Sequence, residues 1–470
     1  MLMTAQRNLA PYEGLLCELA GVFTAAGHTL YLVGGSLRDA LLGRGVHDLD
    51  FTTDARPEQI AALLEPVAET VWDIGIEFGT ISGIVHGQTV EITTFRADTY
   101  DGKSRNPQVS FGDTLEGDLI RRDFAANALA LALDKDGRHE FRDPLNGLDQ
   151  LVAGVLDTPD DPAISFHDDP LRMLRACRFS SQLGMSIAPR VRTAMCEMAG
   201  EIRRITTERV KQELDKLILG DDPARGFDLM VETGLADILI PEIPAMQMTQ
   251  DEHMQHKDVY AHSLQVLRQA IDRETDGPDL VLRWAALLHD CGKPSTRAAK
   301  PGGGVTFYHH DVVGAKMARK RLRALKFSKQ DIQDISGLIY LHQRFHGYAE
   351  SAWNDSAVRR YVTDAGPLLE RLHKLVRADC TTRNQRKAAR LQRLYDDLEQ
   401  RIADLKAQED LDKVRPDLNG NEIMEILDIP AGPMVGKAWK YLKELRLDNG
   451  PMEREDAILA LKQWWVDHEG

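Results

Sequence analysis

The sequence is poor in cysteine, with five among 470 residues and no CxxC pair. This excludes a disulfide framework and a four-cysteine zinc ribbon, and an odd count without paired spacing predicts a reduced, cytoplasmic protein. No run of 18 apolar residues occurs, and the N-terminus lacks the charged-then-apolar pattern of an export signal. We therefore expect neither secretion nor a membrane partner.

An excess of positive charge is also absent, because 58 basic residues face 73 acidic ones and the net charge is −15. Phosphates nevertheless respond to charge within about one Debye length, roughly 8 Å, so local composition matters more than the total. The segment Gly314–Lys329 has seven Lys or Arg and no acid, and Arg172–Arg225 has eleven basic and seven acidic residues. Each segment is a candidate RNA track or simply a solvated helix face.

The chain divides into a β-containing first part and a helical remainder. Apolar runs predict strands at Thr29–Val33, Asp48–Thr53, Thr80–Val85, Thr89–Arg96 and Arg138–Arg142. From about residue 163 the pattern is helical almost to the end, with Pro and Gly between segments. We predict an α+β head at 1–155, a helical neck and body at 156–250, a third domain at 251–400 and a helical tail at 401–470.

One connection is longer than usual. Asp98–Asp118 is polar and rich in Gly, Pro and Asp. A connection of this length is uncommon in a compact domain. We expect this loop to be functional or mobile.

The most informative stretch joins a phosphate-binding turn to a pair of carboxylates. After the predicted strand, Gly34 and Gly35 allow backbone N–H groups to approach an anion without a Cβ in the way. Ser36 is expected to cap the following helix, so that a phosphate would also lie at its N-terminus. Arg38, one turn into the helix, could bind the same phosphate.

The carboxylates are Asp48 and Asp50, which alternate with Leu49 and Phe51 in a second strand. Alternation would place both carboxylates on one face and both apolar side chains on the other. Two adjacent carboxylates repel unless a divalent cation lies between them. The pair is therefore a candidate Mg²⁺ site for a nucleoside triphosphate.

Together the two pieces resemble the first motif of the class II tRNA nucleotidyltransferase and poly(A) polymerase family, LVGGxxRDxLLGxxxxDxD. Every fixed position is met, including Asp39, Leu41, Leu42 and Gly43. The resemblance implies a nucleotidyltransferase head with a small mixed sheet, followed by an elongated all-helical neck and body. A strand beside the first carboxylates could add Glu91 of TVEITTFR as a third catalytic carboxylate.

The run DLIRRDFAANALA resembles the second motif of the family, RRDFTxNALA. The resemblance assigns Arg121 and Arg122 to the triphosphate. Asp123 and Asn127, four residues apart on an expected helix, would reach a ribose hydroxyl together. Ala125 replaces the usual Thr of this motif. The segment Phe141–Leu151 resembles a DPxGGxxDL joint between head and neck.

A third motif, Asp168–Gly184, resembles EDxxRxLRAxRFxxxLG. Asp169 and Arg172, three apart on one helix face, would present an acceptor beside a donor. Cytosine and adenine complement that order, whereas uracil and guanine would leave buried polar groups unpaired. This would select CTP and ATP without a nucleic-acid template. Arg175 and Arg178 would hold the helix or contact phosphate.

A second constellation lies in the helical part. Its order, H…HD…D with an HDxGKP run, resembles the HD-domain metal-dependent phosphohydrolases, and two further histidines could serve a second divalent ion. The expected ligands are His262, His289, Asp290, His310, His342 and Asp379. The identity of that metal is left open, and so is the alternative of a helical support that hydrolyses nothing.

The resemblance implies CCA addition to a tRNA 3′ acceptor end from CTP and ATP, with Mg²⁺ in the head. A poly(A) polymerase of the same family would carry a basic GRRFRLxHV-like stretch where this chain has FGTISGIV. Enzymes that add only CC tend to lack the loop at Asp98–Asp118. An HD phosphohydrolase with the head as a binding module is the alternative from another class. The HD-bearing arrangement is typical of bacteria.

Overall fold

The computed structural model describes residues 1–46, 48–73, 75–76, 79–95, 112, 114–248, 258–300, 304–350, 353–382, 384–409 and 414–469. The chain forms two compact units, Met1–Leu239 and Ile240–Gly470. Most of the predicted loop Asp98–Asp118 lies outside the described residues. Among the described residues, no helix is long and apolar enough to cross a membrane.

The first unit contains a seven-stranded mixed sheet in the order β3-β4-β5-β2-β1-β6-β7, with β8 and β9 as a separate short pair. Only β2 and β5 pair in parallel within the large sheet; its other pairs are antiparallel. The strands are β1 (Leu30–Val33), β2 (Leu49–Thr53), β3 (Thr70–Trp72), β4 (Thr80–Val85), β5 (Gln88–Thr94), β6 (Ala130–Ala132), β7 (Glu140–Arg142), β8 (Val155–Leu156) and β9 (Ser186–Ile187).

In sequence, the first five helices of this unit precede or lie between the strands of the large sheet, and the other seven follow its last strand. They are α1 (Leu2–Leu9), α2 (Glu13–Ala25), α3 (Gly34–Leu42), α4 (Pro57–Leu64), α5 (Leu115–Ile120), α6 (Gly147–Ala153), α7 (Pro162–Asp168), α8 (Leu171–Leu183), α9 (Pro189–Met198), α10 (Thr207–Ile218), α11 (Pro223–Glu232) and α12 (Leu235–Leu239). The predicted mixed-sheet head followed by helices is confirmed.

Helix α8 is the central helix after the sheet. Met173, Leu174 and Cys177 on it are fully buried, and α10 and α11 both pack against it. The crossing with α11 is close, since a Cβ added at Gly226 would lie 2.7 Å from the carbonyl oxygen of Cys177. This packing fixes the position of the polar side chains on α8.

Four short strands of this unit were not predicted, and three predicted strands begin later than expected. β3, β6, β8 and β9 have three residues or fewer, too few for an alternating pattern to show. β1 begins at Leu30 and β7 at Glu140. The second predicted strand begins at Leu49, so Asp48 lies just before it rather than within it. Alternation is clear only in longer strands such as β4, where buried and partly buried residues alternate.

Two local expectations were wrong. Ser36 is not the N-cap of α3, because the helix begins at Gly34 with Val33 as its N-cap. Ser36 instead donates to the Val33 carbonyl at 2.9 Å and accepts from the Asp50 backbone N–H at 3.1 Å. Asp123 and Asn127 do not share a helix either. α5 ends at Ile120, and Asp123 bonds the N–H of the next residue at 2.9 Å, a local contact that competes with helix formation.

The second unit is helical, as predicted, with one two-stranded sheet of β10 (Ala298–Ala299) and β11 (Val305–Thr306). Its helices are α13 (Val259–Ile271), α14 (Leu280–Leu288), α15 (Lys293–Thr296), α16 (His310–Ala324), α17 (Lys329–Leu341), α18 (Arg344–Glu350), α19 (Asp355–Ala365), α20 (Leu369–Ala378), α21 (Gln385–Gln408), α22 (Gly420–Leu427), α23 (Pro433–Asn449) and α24 (Arg454–Glu469).

Helix α14 forms the centre of this unit. Every residue from Val281 to Leu288 is buried, which explains why its sequence is apolar on all sides rather than amphipathic. The exception, Arg283, forms a two-bond ion pair with Glu274, at 2.7 and 2.8 Å. The last three helices share a separate apolar cluster around Leu442, Leu461 and Trp464.

Candidate active site and metal centre

In the first unit, two predicted carboxylates are neighbours on parallel strands. Asp50 of β2 and Glu91 of β5 are register partners, which places both side chains on the same face of the sheet. Burial, and then the negative charge of Glu91, raise the pKa of Asp50 to about 6. Arg122 and Arg38 lower this pKa, but they do not outweigh burial and the charge of the neighbouring carboxylates.

Asp48, the residue that precedes β2, completes this acidic group. It is exposed, and its charge also contributes to the raised pKa of Asp50. The predicted glycine turn lies against the same carboxylate. A Cβ at Gly34 would lie 3.3 Å from Asp50 Oδ2 and 3.2 Å from Arg122 Nη1, and Gly34 has a φ of +69°. A residue other than glycine would be strained here and would narrow the space beside Asp50.

Two arginines border the acidic group. Arg122 donates to Asp118 at 3.0 Å, while its Nε has no hydrogen-bond partner among the described residues. Arg38 donates to Asp39 at 2.9 Å and to Asn127 Oδ1 at 2.8 Å. Arg122 thus pairs with one carboxylate and keeps a buried Nε without a partner among the described residues, whereas Arg38 is held by two protein oxygens.

Asp123 is held by cationic side chains of α8. It accepts a bond from Asn127 Nδ2 at 2.9 Å and pairs with Arg175 at 3.4 Å. Burial alone would raise the pKa of Asp123, but Arg175 and the Asn127 bond outweigh it, and the pKa lies below its ordinary value. Arg175 and Arg178 also both pair with Glu213 of α10, at 3.4 and 3.1 Å. These two arginines therefore link α8 to α10 through ion pairs.

The expected pairing of Asp169 with Arg172 is not direct. Asp169 pairs instead with Arg209 of α10 at 3.0 Å. Arg172 donates to Ser165 Oγ at 2.8 Å and to the Arg121 carbonyl. The reason is that α8 begins only at Leu171, so Asp169 precedes the helix and the three-residue helical spacing does not apply. The Asp169 carboxylate and the Arg172 guanidinium are thus each held by a separate partner.

The first-unit residues suit a divalent cation beside a triphosphate. Asp48, Asp50 and Glu91 supply oxygen ligands of the kind that Mg²⁺ prefers. A raised pKa on a buried carboxyl marks a place where added positive charge would be stabilising. The bare face of Gly34 leaves room beside Asp50.

In the second unit, the structure brings together all six predicted ligands. His262, His289 and Asp379 form one group, and Asp290, His310 and His342 form another, each with its ligand atoms within 4.8 Å of one another. This site gathers residues from five segments of the chain, between positions 262 and 379.

Three of these histidines are oriented by the same contact. The Nδ1 atoms of His289, His310 and His342 lie 2.8, 2.8 and 2.5 Å from the carbonyl oxygen of the residue three positions earlier. Since a carbonyl accepts, Nδ1 carries the proton and Nε2 points into the cluster. Metal-binding histidines are commonly fixed in this way.

Asp290 lies between the two groups. Its Oδ2 is 3.2 Å from His289 Nε2, and its Oδ1 is 3.3 Å from His310 Nε2. Asp290 Oδ1 and both of these nitrogens are buried without a hydrogen-bond partner among the described residues. Buried nitrogen and oxygen atoms that converge without hydrogen-bond partners fit a bound cation. The Asp290 carboxylate could serve two such ions.

The electrostatics of this cluster are strong. Burial would lower the pKa of His289, but Asp290 outweighs it and raises that pKa to about 10. Burial, then the charge of His289, lowers the pKa of His342 to about 4. Burial would raise the pKa of Asp290 and of Asp379, yet the histidines hold both well below the ordinary value. The carboxylates require positive charge, which either a proton or a divalent ion supplies.

Three residues of these sites were missed from the sequence. Arg209 and Glu213 are four apart on α10, a spacing that places both on one helix face and that was the available signal. Lys293 donates to Asp290 Oδ2 at 2.6 Å. It is the lysine of the HDxGKP run.

Comparison with protein families covers most of the chain. Residues 30–157 match the family described as Poly A polymerase head domain. Residues 184–246 match the family described as probable RNA and SrmB-binding site of polymerase A, and residues 259–404 match the HD domain. The three matches follow the order predicted from the motifs.

Similar proteins carry related names. An A-adding tRNA nucleotidyltransferase of Deinococcus radiodurans is 31% identical over 445 residues, which cover 93% of this chain and 96% of that protein. A CCA-adding enzyme of Levilactobacillus brevis is 42% identical over 211 residues, 45% of this chain and 51% of that protein. The match thus spans about half the length of that CCA-adding relative.

Solved structures show the same fold. The Bacillus stearothermophilus CCA-adding enzyme in complex with CTP has a TM-score of 0.68 and 24% identity, with 98% of each chain covered. The Thermotoga maritima CCA-adding enzyme complexed with tRNA has a TM-score of 0.60 and 18% identity, covering 96% of this chain and 95% of that one. With the full-length similarity to the Deinococcus protein, these findings show that the chain is a transferase of the tRNA nucleotidyltransferase and poly(A) polymerase family that carries an HD domain.

Proposed function

We propose that this protein is a CCA-adding enzyme that transfers C, C and A from CTP and ATP to a tRNA 3′ end in the cytoplasm, without a nucleic-acid template. The observation that carries the proposal is the in-register pair of Asp50 and Glu91 beside Gly34 and Arg122. It supplies carboxylates for a divalent ion next to a cation and a bare backbone turn, which a triphosphate needs.

In the proposed mechanism, Asp48, Asp50 and Glu91 hold Mg²⁺. We propose a two-metal-ion transfer, in which one bound Mg²⁺ would lower the pKa of the attacking 3′-hydroxyl and the other would neutralise the leaving pyrophosphate. Arg122 binds the triphosphate, aided by the backbone N–H groups at Gly34 and Gly35. Asp123 and Asn127, bonded to each other, are proposed to hold the ribose.

We propose that Asp169 and Arg172 select the base. Asp169 accepts from the exocyclic amino group of cytosine or adenine, and Arg172 donates to the adjacent ring nitrogen. Uracil and guanine present the opposite order and would leave buried groups unpaired. Arg209 is a positioning residue in this scheme, because its ion pair at 3.0 Å orients the Asp169 carboxylate.

For the HD domain we propose a divalent metal centre built from the six clustered ligands, with Asp290 between two ions. The converging Nε2 atoms and the orphaned Asp290 Oδ1 support this. A second candidate activity is hydrolysis of a phosphate ester at this centre, because divalent ions held by the two ligand groups would suit activation of a water.

A second candidate for the head is addition of A alone, which the name of the full-length relative favours. One experiment separates the candidates. Purified protein with Mg²⁺ is given a tRNA transcript ending at the discriminator base, or one ending in CC, with each labelled triphosphate in turn.

Growth of the first transcript by three nucleotides, only when CTP and ATP are both present, is the expected result. Extension of the CC-ended transcript alone, by one A, would assign A addition. A long A ladder would indicate a poly(A) polymerase. No extension of either transcript would contradict nucleotidyl transfer and leave the HD domain as the active part.

A further inference from the structure

Helix α16 carries a row of exposed cations on one face. Its members follow the spacing i, i+3, i+4 and i+7, which aligns side chains along a single helix face. We call them the basic stripe: Lys316, Arg319, Lys320 and Arg323, all exposed. The buried residues of the helix, which include His310 and Leu322, lie on the opposite face. The basic stripe is therefore separate from the metal centre.

The basic stripe is not neutralised by the protein. Lys316, Lys320 and Arg323 form no ion pair or hydrogen bond among the described residues, and Arg319 donates only to Ser336 Oγ, at 3.1 Å. Some other exposed arginines of this unit are paired, for example Arg344 with Asp364 at 2.7 Å. Like charges three and four residues apart repel each other and destabilise a helix. An anionic ligand would remove that cost.

The shape of the surface suits a linear polyanion. The basic stripe, together with Met317, lines one surface groove. Seven residues of helix separate its ends, about 10 Å along the axis, so the charges form a line rather than a pocket for a single phosphate. The chain as a whole is acidic, with a net charge of −15, so attraction of a polyanion must come from such local rows.

We propose that the basic stripe binds the sugar–phosphate backbone of the RNA substrate. This inference rests on the proposed function, because it takes tRNA to be that substrate. The HD domain would then contribute to RNA binding through α16, independently of any chemistry at its metal centre. Contacts of Lys and Arg with phosphate carry no base specificity and depend strongly on salt.

The test measures equilibrium binding of a tRNA transcript without CTP or ATP, by fluorescence anisotropy between about 50 and 200 mM salt. A fourfold variant carries Lys316→Gln, Arg319→Gln, Lys320→Gln and Arg323→Gln. We expect its Kd to rise about 10-fold or more at the higher salt. The slope of log K against log salt should become shallower by about one for each lost contact.

A matched control keeps every charge: Lys316→Arg, Arg319→Lys, Lys320→Arg and Arg323→Lys should bind with the Kd and salt slope of the wild type. A melting temperature equal to that of the wild type in both variants checks the fold. Should the fourfold Gln variant misfold, Lys316→Gln with Lys320→Gln provides the same comparison with half the slope change.

Two outcomes would overturn the inference and are distinguishable. If wild-type protein binds tRNA and the Gln variants have the same Kd and slope, the basic stripe does not contact RNA, while the proposed function stands. If the wild type binds no tRNA at all, the proposed function itself fails, and the inference fails with it.

Discussion

The acidic groups of the two units differ in how their charge is balanced. In the head, Asp50 and Glu91 have no ion pair among the described residues, and the pKa of Asp50 is raised to about 6. In the HD domain, Asp290 and Asp379 are surrounded by histidines that hold both pKa values well below the ordinary one. In the first site, Arg122 and Arg38 do not outweigh burial and the repulsion between carboxylates; the second site is largely buried and supplied with nitrogen ligands.

If both proposed metal sites are occupied, this difference predicts that the head exchanges its metal readily and that the HD domain retains its own. Oxygen-only ligands at a partly exposed site suit Mg²⁺ that arrives with a triphosphate and leaves with pyrophosphate. A buried site of four imidazoles and two carboxylates suits a transition metal held continuously. A nucleotide-transfer site benefits from exchange, whereas a built-in centre also stabilises the fold around it.

The largest expected effect separates the two sites by activity. Asp48→Ala removes a head carboxylate, and we expect nucleotide incorporation to fall by about 1,000-fold or more while CTP and ATP still bind. The measurement is single-turnover extension of the tRNA transcript, with CTP binding followed separately.

Asp290→Asn is the matched control, because it changes the HD cluster by one near-isosteric side chain and should leave extension unchanged. Substantial extension by Asp48→Ala would contradict the metal assignment in the head. Loss of extension in Asp290→Asn, with the protein folded, would mean that the two sites do not act separately.

The second prediction concerns metal retention. After dialysis without metal, elemental analysis should find a divalent ion in the wild type and in Asp48→Ala, but much less in Asp290→Asn. Stripping with a strong chelator should lower the melting temperature of the wild type. A site filled at 100 times its Kd contributes about 2.7 kcal/mol, or roughly 5–10 °C for a unit of this size.

A wild-type protein that retains no ion after dialysis, and whose melting temperature the chelator does not change, would remove the contrast between the two sites. The site at 262–379 would then be a structural cluster held by protonated histidine, as the raised pKa of His289 allows.

The sequence predicted the parts of both sites that depend on local spacing. The mixed-sheet head followed by helices was correct, and the structure gathered all six HD residues into one cluster. The carboxylate at Glu91 lies beside Asp50 because parallel strands are in register. Motif order and strand alternation were sufficient for these inferences.

What could not be predicted depends on contacts between distant segments. Asp169 pairs with Arg209, forty residues away, rather than with Arg172. Glu213 joins Arg175 and Arg178 across two helices. Ser36 bridges Val33 and the next strand instead of capping its helix. Helical periodicity places residues on a face, but it does not show which neighbouring helix or strand that face meets.

The smallest expected effect is a difference in how the two sites respond to pH in metal-free protein. Because the folded-state pKa of Asp50 is about 6 instead of 3.8, the folded state binds more protons than the unfolded state between those values. Its contribution to the free energy of unfolding therefore falls as pH rises from about 4 to 6, by at most about 1.4 kcal/mol per pH unit. Asp290 and Asp379 have lowered pKa values, so their contribution is lost as pH falls below their unfolded pKa.

The difference in stability between the wild type and Asp50→Asn reports on Asp50 alone. The asparagine amide does not ionise, and the contributions of Asp290 and Asp379 are the same in both proteins. As the pH rises from 4 to 6, the wild type should lose stability relative to Asp50→Asn. Saturating Mg²⁺ with CTP should reverse it, since bound cations then offset the repulsion between Asp50 and Glu91. A difference that does not change with pH would show that Asp50 titrates as an ordinary carboxylate and would remove this contrast between the head and the HD domain.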